Sequence, residues 1–216
     1  MVGHTTACAR SWGLEAPEGE GIMSKATALA ALPDHDTMVT NIVATYRRAD
    51  ADQLQSGHSW YSVARTFAYG LSDRYELTRE QAAGIIAALS PQTSWEINQR
   101  NADLFAKTGT CPTLGASVRN AQRIAAGESW RDVLRGPKTR AFAANIEGDV
   151  WHAVTVDRHA ARVAGFTGEL GDITSVYTQI ADAYRASASE VSDTLALVPA
   201  AFVQATTWIV QRGSAE

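Results

Sequence analysis

From Asp36 onward, apolar residues return every three or four positions, a period that leaves little room for anything but helices. Val39, Ile42, Val43 and Tyr46 trace one helix face, and Trp60, Val63, Ala64, Phe67, Ala68 and Leu71 trace a second. Two further helices mark their own starts. Thr78 with Gln81, and Thr93 with Glu96, fit the capping box, in which a hydroxyl and the residue three places on satisfy each other's backbone N–H groups. The first of these helices buries Ala82, Ile85, Ile86 and Leu89; the second carries Trp95, Asn98, Ala102 and Phe105, and Ser90-Pro91-Gln92 forms an elbow between them. Beyond a break at Gly109–Pro112, shorter helices are expected over Ala116–Ala126, Ser129–Leu134 and Thr139–Ile146. Val154-Thr155-Val156 has strand composition, yet it runs so soon into a helical pattern that it reads as an extended lead-in. Helices over Ile173–Ala186 and Ser189–Leu197, and a last one begun by Pro199 with Phe202, Ala205, Ile209 and Val210 inward, complete an all-α fold of about ten helices.

A chain of 216 residues, 45% hydrophobic, is long enough to bury a genuine core. Charges interrupt every apolar stretch, so no span of about 18 apolar residues exists and no membrane partner is expected. Without a signal-peptide pattern, the expected location is cytoplasmic, in a bacterium or a phage-infected host. Cys8 and Cys111 are too few for a four-thiolate site, and no cofactor is expected. Residues 1–33, rich in Gly, Glu, Pro and Ala, read as a flexible arm ahead of a helical domain spanning 34–216. Glu18-Gly19-Glu20-Gly21 requires purine-rich codons just upstream of Met23, a pattern suited to a ribosome-binding site with Met23 as the true start.

The net charge of −4 argues against non-specific coating of nucleic acid. Between Arg119 and Arg140, however, six basic residues (Arg119, Arg123, Arg131, Arg135, Lys138, Arg140) face only Glu128 and Asp132. This stretch runs into Gly136-Pro137-Lys138-Thr139, a helix entrance, and then into Val156-Asp157-Arg158-His159. A lysine and an aspartate at neighbouring helix ends can converge on one point. Asp157 also suits a plain N-cap for the helix that follows it, and the two roles are compatible. Trp95, Trp151 and Trp208 suit core or interface positions, Trp95 alone lying beside the elbow, and Asn98 suits either a pocket wall or a helix surface. His152, Asp157 and His159 match no familiar metal-ligand spacing, so no metal is assigned.

Three segments in fixed order resemble the helix-hairpin-helix DNA glycosylases of the endonuclease III type. LSPQTSWEIN (89–98) looks like their Leu-Ser-x-Gln-x-Thr elbow, GPKTRAF (136–142) like the second half of their hairpin, and VTVDRHAARV (154–163) like their Val-Asp-x-His signature. The resemblance implies that Asp157 is the essential carboxylate and that Gln92 fills the gap left by a flipped base. It makes Lys138 either a nucleophile toward the sugar or a phosphate anchor. Gly136, Lys138, Thr139 and Arg140, with Arg119 from the basic stretch, would contact DNA phosphates, and Trp95, Asn98 and His159 would form the base pocket.

Two features of that family are missing. The first half of the hairpin is reduced to Leu134-Arg135-Gly136, and there is no four-cysteine cluster motif. Ser-Pro-Gln-Thr-x-Trp-x-x-Asn together with Val-Thr-Val-Asp-Arg-His is closer to a divergent branch of phage and actinobacterial proteins similar to α-glutamyl/putrescinyl thymine pyrophosphorylases. The expected function is therefore DNA base processing by N-glycosidic cleavage of a modified, flipped base. One alternative is a transferase joining an amine or amino-acid co-substrate to activated 5-hydroxymethyluracil in DNA. Another is a non-catalytic DNA-binding relative, for which Asp157 would cap its helix with no cavity beside it.

Overall fold

The computed structural model describes residues 25–193 and 196–213, and it is all-α, with eleven α-helices and no strand among them. Cys8, the Glu18–Gly21 run and Met23 lie outside the described residues. In chain order the helices are α1 (Lys25–Ala30), α2 (His35–Tyr46), α3 (Ala51–Tyr75), α4 (Arg79–Leu89), α5 (Trp95–Thr108) and α6 (Gly115–Ala125). They continue with α7 (Trp130–Val133), α8 (Pro137–Glu147), α9 (Arg158–Val163), α10 (Ile173–Val191) and α11 (Ala200–Arg212). Side-chain caps set most of the starts. Asp50 with Gln53 and Thr78 with Gln81 form complete capping boxes, while Asp34, Ser94 and Asp157 each accept from backbone N–H groups of the first turn.

The helices enclose two cores. One joins Tyr61, Ala64 and Leu71 of α3 to α4, to Phe105 of α5 and to Phe142 and Ile146 of α8. The other joins Met38 and Ile42 of α2 to Val154, Val156, α9 and Val176, Ile180 and Tyr184 of α10. Helix α4 is buried on every side from Ala82 to Leu89, as befits a helix at the centre of a bundle. Its Ile85, Ile86 and Leu89 each contribute about 1.5–3 kcal/mol by leaving water. Helix α11 belongs to both cores, giving Ala201 and Ala205 to the first and Ala200 and Val203 to the second. It lies close against α3 because Gly57 has no side chain: a Cβ there would stand 2.1 Å from Thr206 Oγ1.

Several local expectations need correction. Thr93 does not cap α5; Ser94 does, with Ile97 N–H at 3.4 Å, because the Thr93 hydroxyl turns back to the carbonyl of Ser90 at 3.0 Å. Val63 is 55% exposed, since the inward face of α3 runs through Gly57, Tyr61, Ala64, Ala68 and Leu71. The boundary expected near Ala186 does not exist. Nothing breaks the helix there, and α10 continues to Val191, where Ser192 Oγ accepts from Val198 N–H and Asp193 Oδ1 from Ala196 N–H. Pro199 is the N-cap of α11 and precedes its first turn. Within the stretch expected as an arm, Lys25–Ala30 is helical with Ala28 buried in the second core, and the Ala31 carbonyl accepts from Thr167 N–H.

Candidate functional site

Where the two cores meet, a cavity of about 150 Å³ opens, lined from α3, the α4–α5 elbow, α5, α8, the 154–157 link and α11. One wall is aromatic. Trp60 stands with its ring centroid 5.3 Å from Trp95 and 5.9 Å from Phe142, in a cluster of mutually tilted rings that makes this wall apolar.

Another part of the wall comes from the extended link, in which side chains alternate. Val154 and Val156 point into the second core, Thr155 and Asp157 line the cavity, and Tyr177 clamps the backbone between them. The Tyr177 hydroxyl donates to Val154 O at 2.6 Å and accepts from Val156 N–H at 3.1 Å; burial pushes its pKa up to about 12. Asp157 then caps α9. Its Oδ1 accepts from the N–H groups of His159 and Ala160, both at 2.9 Å, and its Oδ2 accepts from the Trp208 indole N–H at 3.1 Å. Three donors thus fix the carboxylate while it still faces the cavity. Capping and cavity lining coexist in this one side chain.

Two cations share the cavity with that carboxylate. Lys138, exposed in the first turn of α8, and Arg212, lying 4.5 Å over the Trp208 ring, both line the cavity. Arg158 Nε donates to His159 Nε2 at 3.2 Å. Burial lowers the His159 pKa; Asp157 opposes that shift, and Arg158, Arg212 and Lys138 reinforce it.

Of the residues singled out from sequence, Trp95, Asn98, Lys138 and Asp157 come together in this cavity. Asn98 is 2% exposed, which rules out a helix-surface role, and its Oδ1 has no hydrogen-bond partner. His159 is not part of the wall; its ring packs edge-on against Trp208 at 6.3 Å. Gln92 sits at the elbow whose neighbours Ser90, Thr93 and Ser94 line the cavity, exposed and with φ at 61°, a left-handed conformation unusual for a residue with a side chain. Gly136 caps α8 without a side chain, and the Thr139 hydroxyl donates to Gly136 O at 3.0 Å. Arg140 is exposed on α8 outside the cavity wall, and Arg119 is exposed on α6, with nothing to bring it to the site.

The basic stretch is partly neutralised within the fold, Arg123 pairing with Glu128, and Arg131 with Glu80 at 3.0 Å and Glu147 at 2.7 Å. Among the described residues, no three His, Cys, Asp or Glu side chains gather to hold a metal ion, and no helix is long and apolar enough to cross a membrane.

Sequence reasoning missed the contribution of α11. Gln204, Trp208 and Arg212 recur every four residues and so share one face, a polar and aromatic stripe on a helix otherwise rich in apolar and small residues. That stripe was the available signal. The model of a family of unknown function (DUF7178) matches residues 24–215. No curated protein and no solved structure matches the chain.

Proposed function

The chain belongs to that family of unknown function, and from the geometry of its cavity we propose that it is a DNA base-processing enzyme that cleaves the N-glycosidic bond of a flipped, modified base. One observation carries the reading: Asp157, immobilised by three donors, faces an aromatic cavity of about 150 Å³. A cavity of that size holds a single six-membered ring such as benzene. A silent DNA-binding relative has no need of a cavity beside its cap.

In this reading the base leaves the duplex and packs against the apolar wall of Trp60, Trp95 and Phe142. As the bond from the base to C1′ breaks, its electron pair departs with the base and positive charge grows on the sugar. The Asp157 carboxylate stabilises that charge and orients a water, whose oxygen bonds to C1′ and whose proton is released. Lys138, Arg212 and the open N-terminus of α8 hold the flanking phosphates. Gln92, held at the exposed elbow, occupies the space left in the stack. Lys138 serves as a phosphate anchor, and borohydride trapping tests that assignment: a covalent enzyme–DNA product would make it a nucleophile instead.

The experiment is incubation with duplexes carrying 5-hydroxymethyluracil, its phosphorylated form or glucosylated bases, read by mass spectrometry. Abasic product supports the reading. Amine-dependent adducts would replace it with group transfer to the base, and unchanged DNA across the panel would remove it.

A further inference from the structure

The hydrogen-bond accounting of the cavity wall fixes what an occupant must offer. Gln204 is buried on α11, and the Tyr61 hydroxyl, itself buried and so held protonated, donates to Gln204 Oε1 at 2.8 Å. That bond sets the orientation of the amide. Its Nε2 has no protein acceptor among the described residues, which leaves an N–H donor on a residue that lines the cavity. A second relay fixes Thr155. Asn145 Nδ2 donates to the carbonyls of Asp149 at 2.7 Å and Ala153 at 2.8 Å, so its Oδ1 must accept the Thr155 hydroxyl proton at 2.8 Å. Thr155 therefore shows the cavity only lone pairs. Asn98 lines the cavity as well, but its Oδ1 is buried away from the cavity surface without a partner.

Buried polar groups in a finished core are paired, so an oriented and unused donor on a small cavity implies a ligand that completes it. We infer that Gln204 is a specificity-determining residue that reads the hydrogen-bonding edge of a single planar ring, giving a proton to an acceptor there. Pyrimidines supply that acceptor in two ways, through a carbonyl in uracil and through N3 in cytosine. The ring requirement follows from the cavity; that the ring arrives as a base in DNA rests on the function proposed above.

Trp60 and Trp95 line the cavity, so tryptophan fluorescence reports occupancy directly. The full chain is titrated with uracil, cytosine and 2,4-difluorotoluene, a ring of similar outline that neither donates nor accepts appreciably. At least one pyrimidine binds tenfold or more tighter than difluorotoluene, and the tighter of the two identifies the edge that is read. Gln204→Leu abolishes this preference, and far-UV circular dichroism verifies its fold. Gln204→Glu, which keeps an acceptor for Tyr61 but loses the donor, also abolishes it. Equal binding of all three rings, or an unaltered preference in both variants, overturns the inference. Ring preference in a protein inactive on every duplex overturns the proposed function alone. Base release from DNA without ring preference overturns this inference alone.

Discussion

The Trp208 indole N–H donates to Asp157 Oδ2 across 3.1 Å, tying α11 to the cap of α9 at the junction of the two cores. Oδ1 is committed to two backbone N–H groups, so this bond decides which way the second oxygen faces. The carboxylate is held by contacts that exist before any ligand arrives. Such preorganisation is what stabilisation of a developing cation requires.

Replacing Trp208 by Phe keeps most of the ring and removes the donor. On the proposed function Trp208 is a positioning residue, so kcat for base release falls by roughly ten- to a hundredfold while KM changes little. Stability falls by about 1.5–3 kcal/mol, the usual worth of a hydrogen bond to a charged group. Steady-state kinetics and urea melts check the two separately; a rise in KM alone would assign Trp208 to binding.

Gln92 is held at φ 61° on an exposed elbow, where glycine would rest without strain. Gln92→Gly stabilises the fold by about 1 kcal/mol and, on the proposed function, weakens base release by removing the side chain that would fill the stack. Thermal melts and single-turnover assays on the same variant test the opposed signs. Gain or loss in both measurements contradicts the assignment.

Gly57→Ala drives a methyl group to 2.1 Å from Thr206 Oγ1 and 2.6 Å from Thr206 Cα, where backbone must move. The expected cost is about 1–3 kcal/mol, a fall in Tm of roughly 2–12 °C. Because α11 also carries Gln204 and Trp208, pyrimidine-dependent fluorescence quenching weakens as well. An unshifted Tm would show that α3 and α11 are less closely packed than described.

Two histidines tie stability to pH. Burial lowers the pKa of His58, whose Nε2 meets the Tyr46 hydroxyl at 2.8 Å, and burial with three nearby cations lowers that of His159 against the pull of Asp157. Both pKa values in the folded state lie below the ordinary 6.5, so the unfolded chain takes up protons first as pH falls. The stability these groups contribute is complete above pH 6.5 and is lost as pH drops through their folded values. Urea melts from pH 7.5 to 5 show this decline, and it flattens in the double variant His58→Gln, His159→Gln. A decline of equal slope in the variant would place the titration elsewhere.

Local chemistry was legible in the sequence wherever it depended on neighbours a few residues apart. Thr78 with Gln81 marked the start of α4, Ala102 and Phe105 marked the buried face of α5, and Val154-Thr155-Val156 was readable as an extended lead-in. What periodicity could not carry was pairing across the chain. Tyr61 meets Gln204, and Asp157 meets Trp208, only because α11 packs between the two cores. Trp208 alone therefore read as core. Val63 shows the converse, an apolar residue at helical spacing that the packing of α3 against its neighbours leaves in solvent.

The most direct test separates the cap from the charge in Asp157. Asparagine keeps a side-chain oxygen for the His159 and Ala160 N–H groups but turns its NH2 toward the Trp208 N–H, so Asp157→Asn loses that one bond and costs about 1.5–3 kcal/mol, as Trp208→Phe does. With the charge gone, base release from a duplex processed by the wild-type protein falls by at least a thousandfold. A folded variant as stable as Trp208→Phe, with a loss of turnover far beyond that variant's, is the predicted result; the same stability with full turnover would remove Asp157 from the chemistry and leave it a cap.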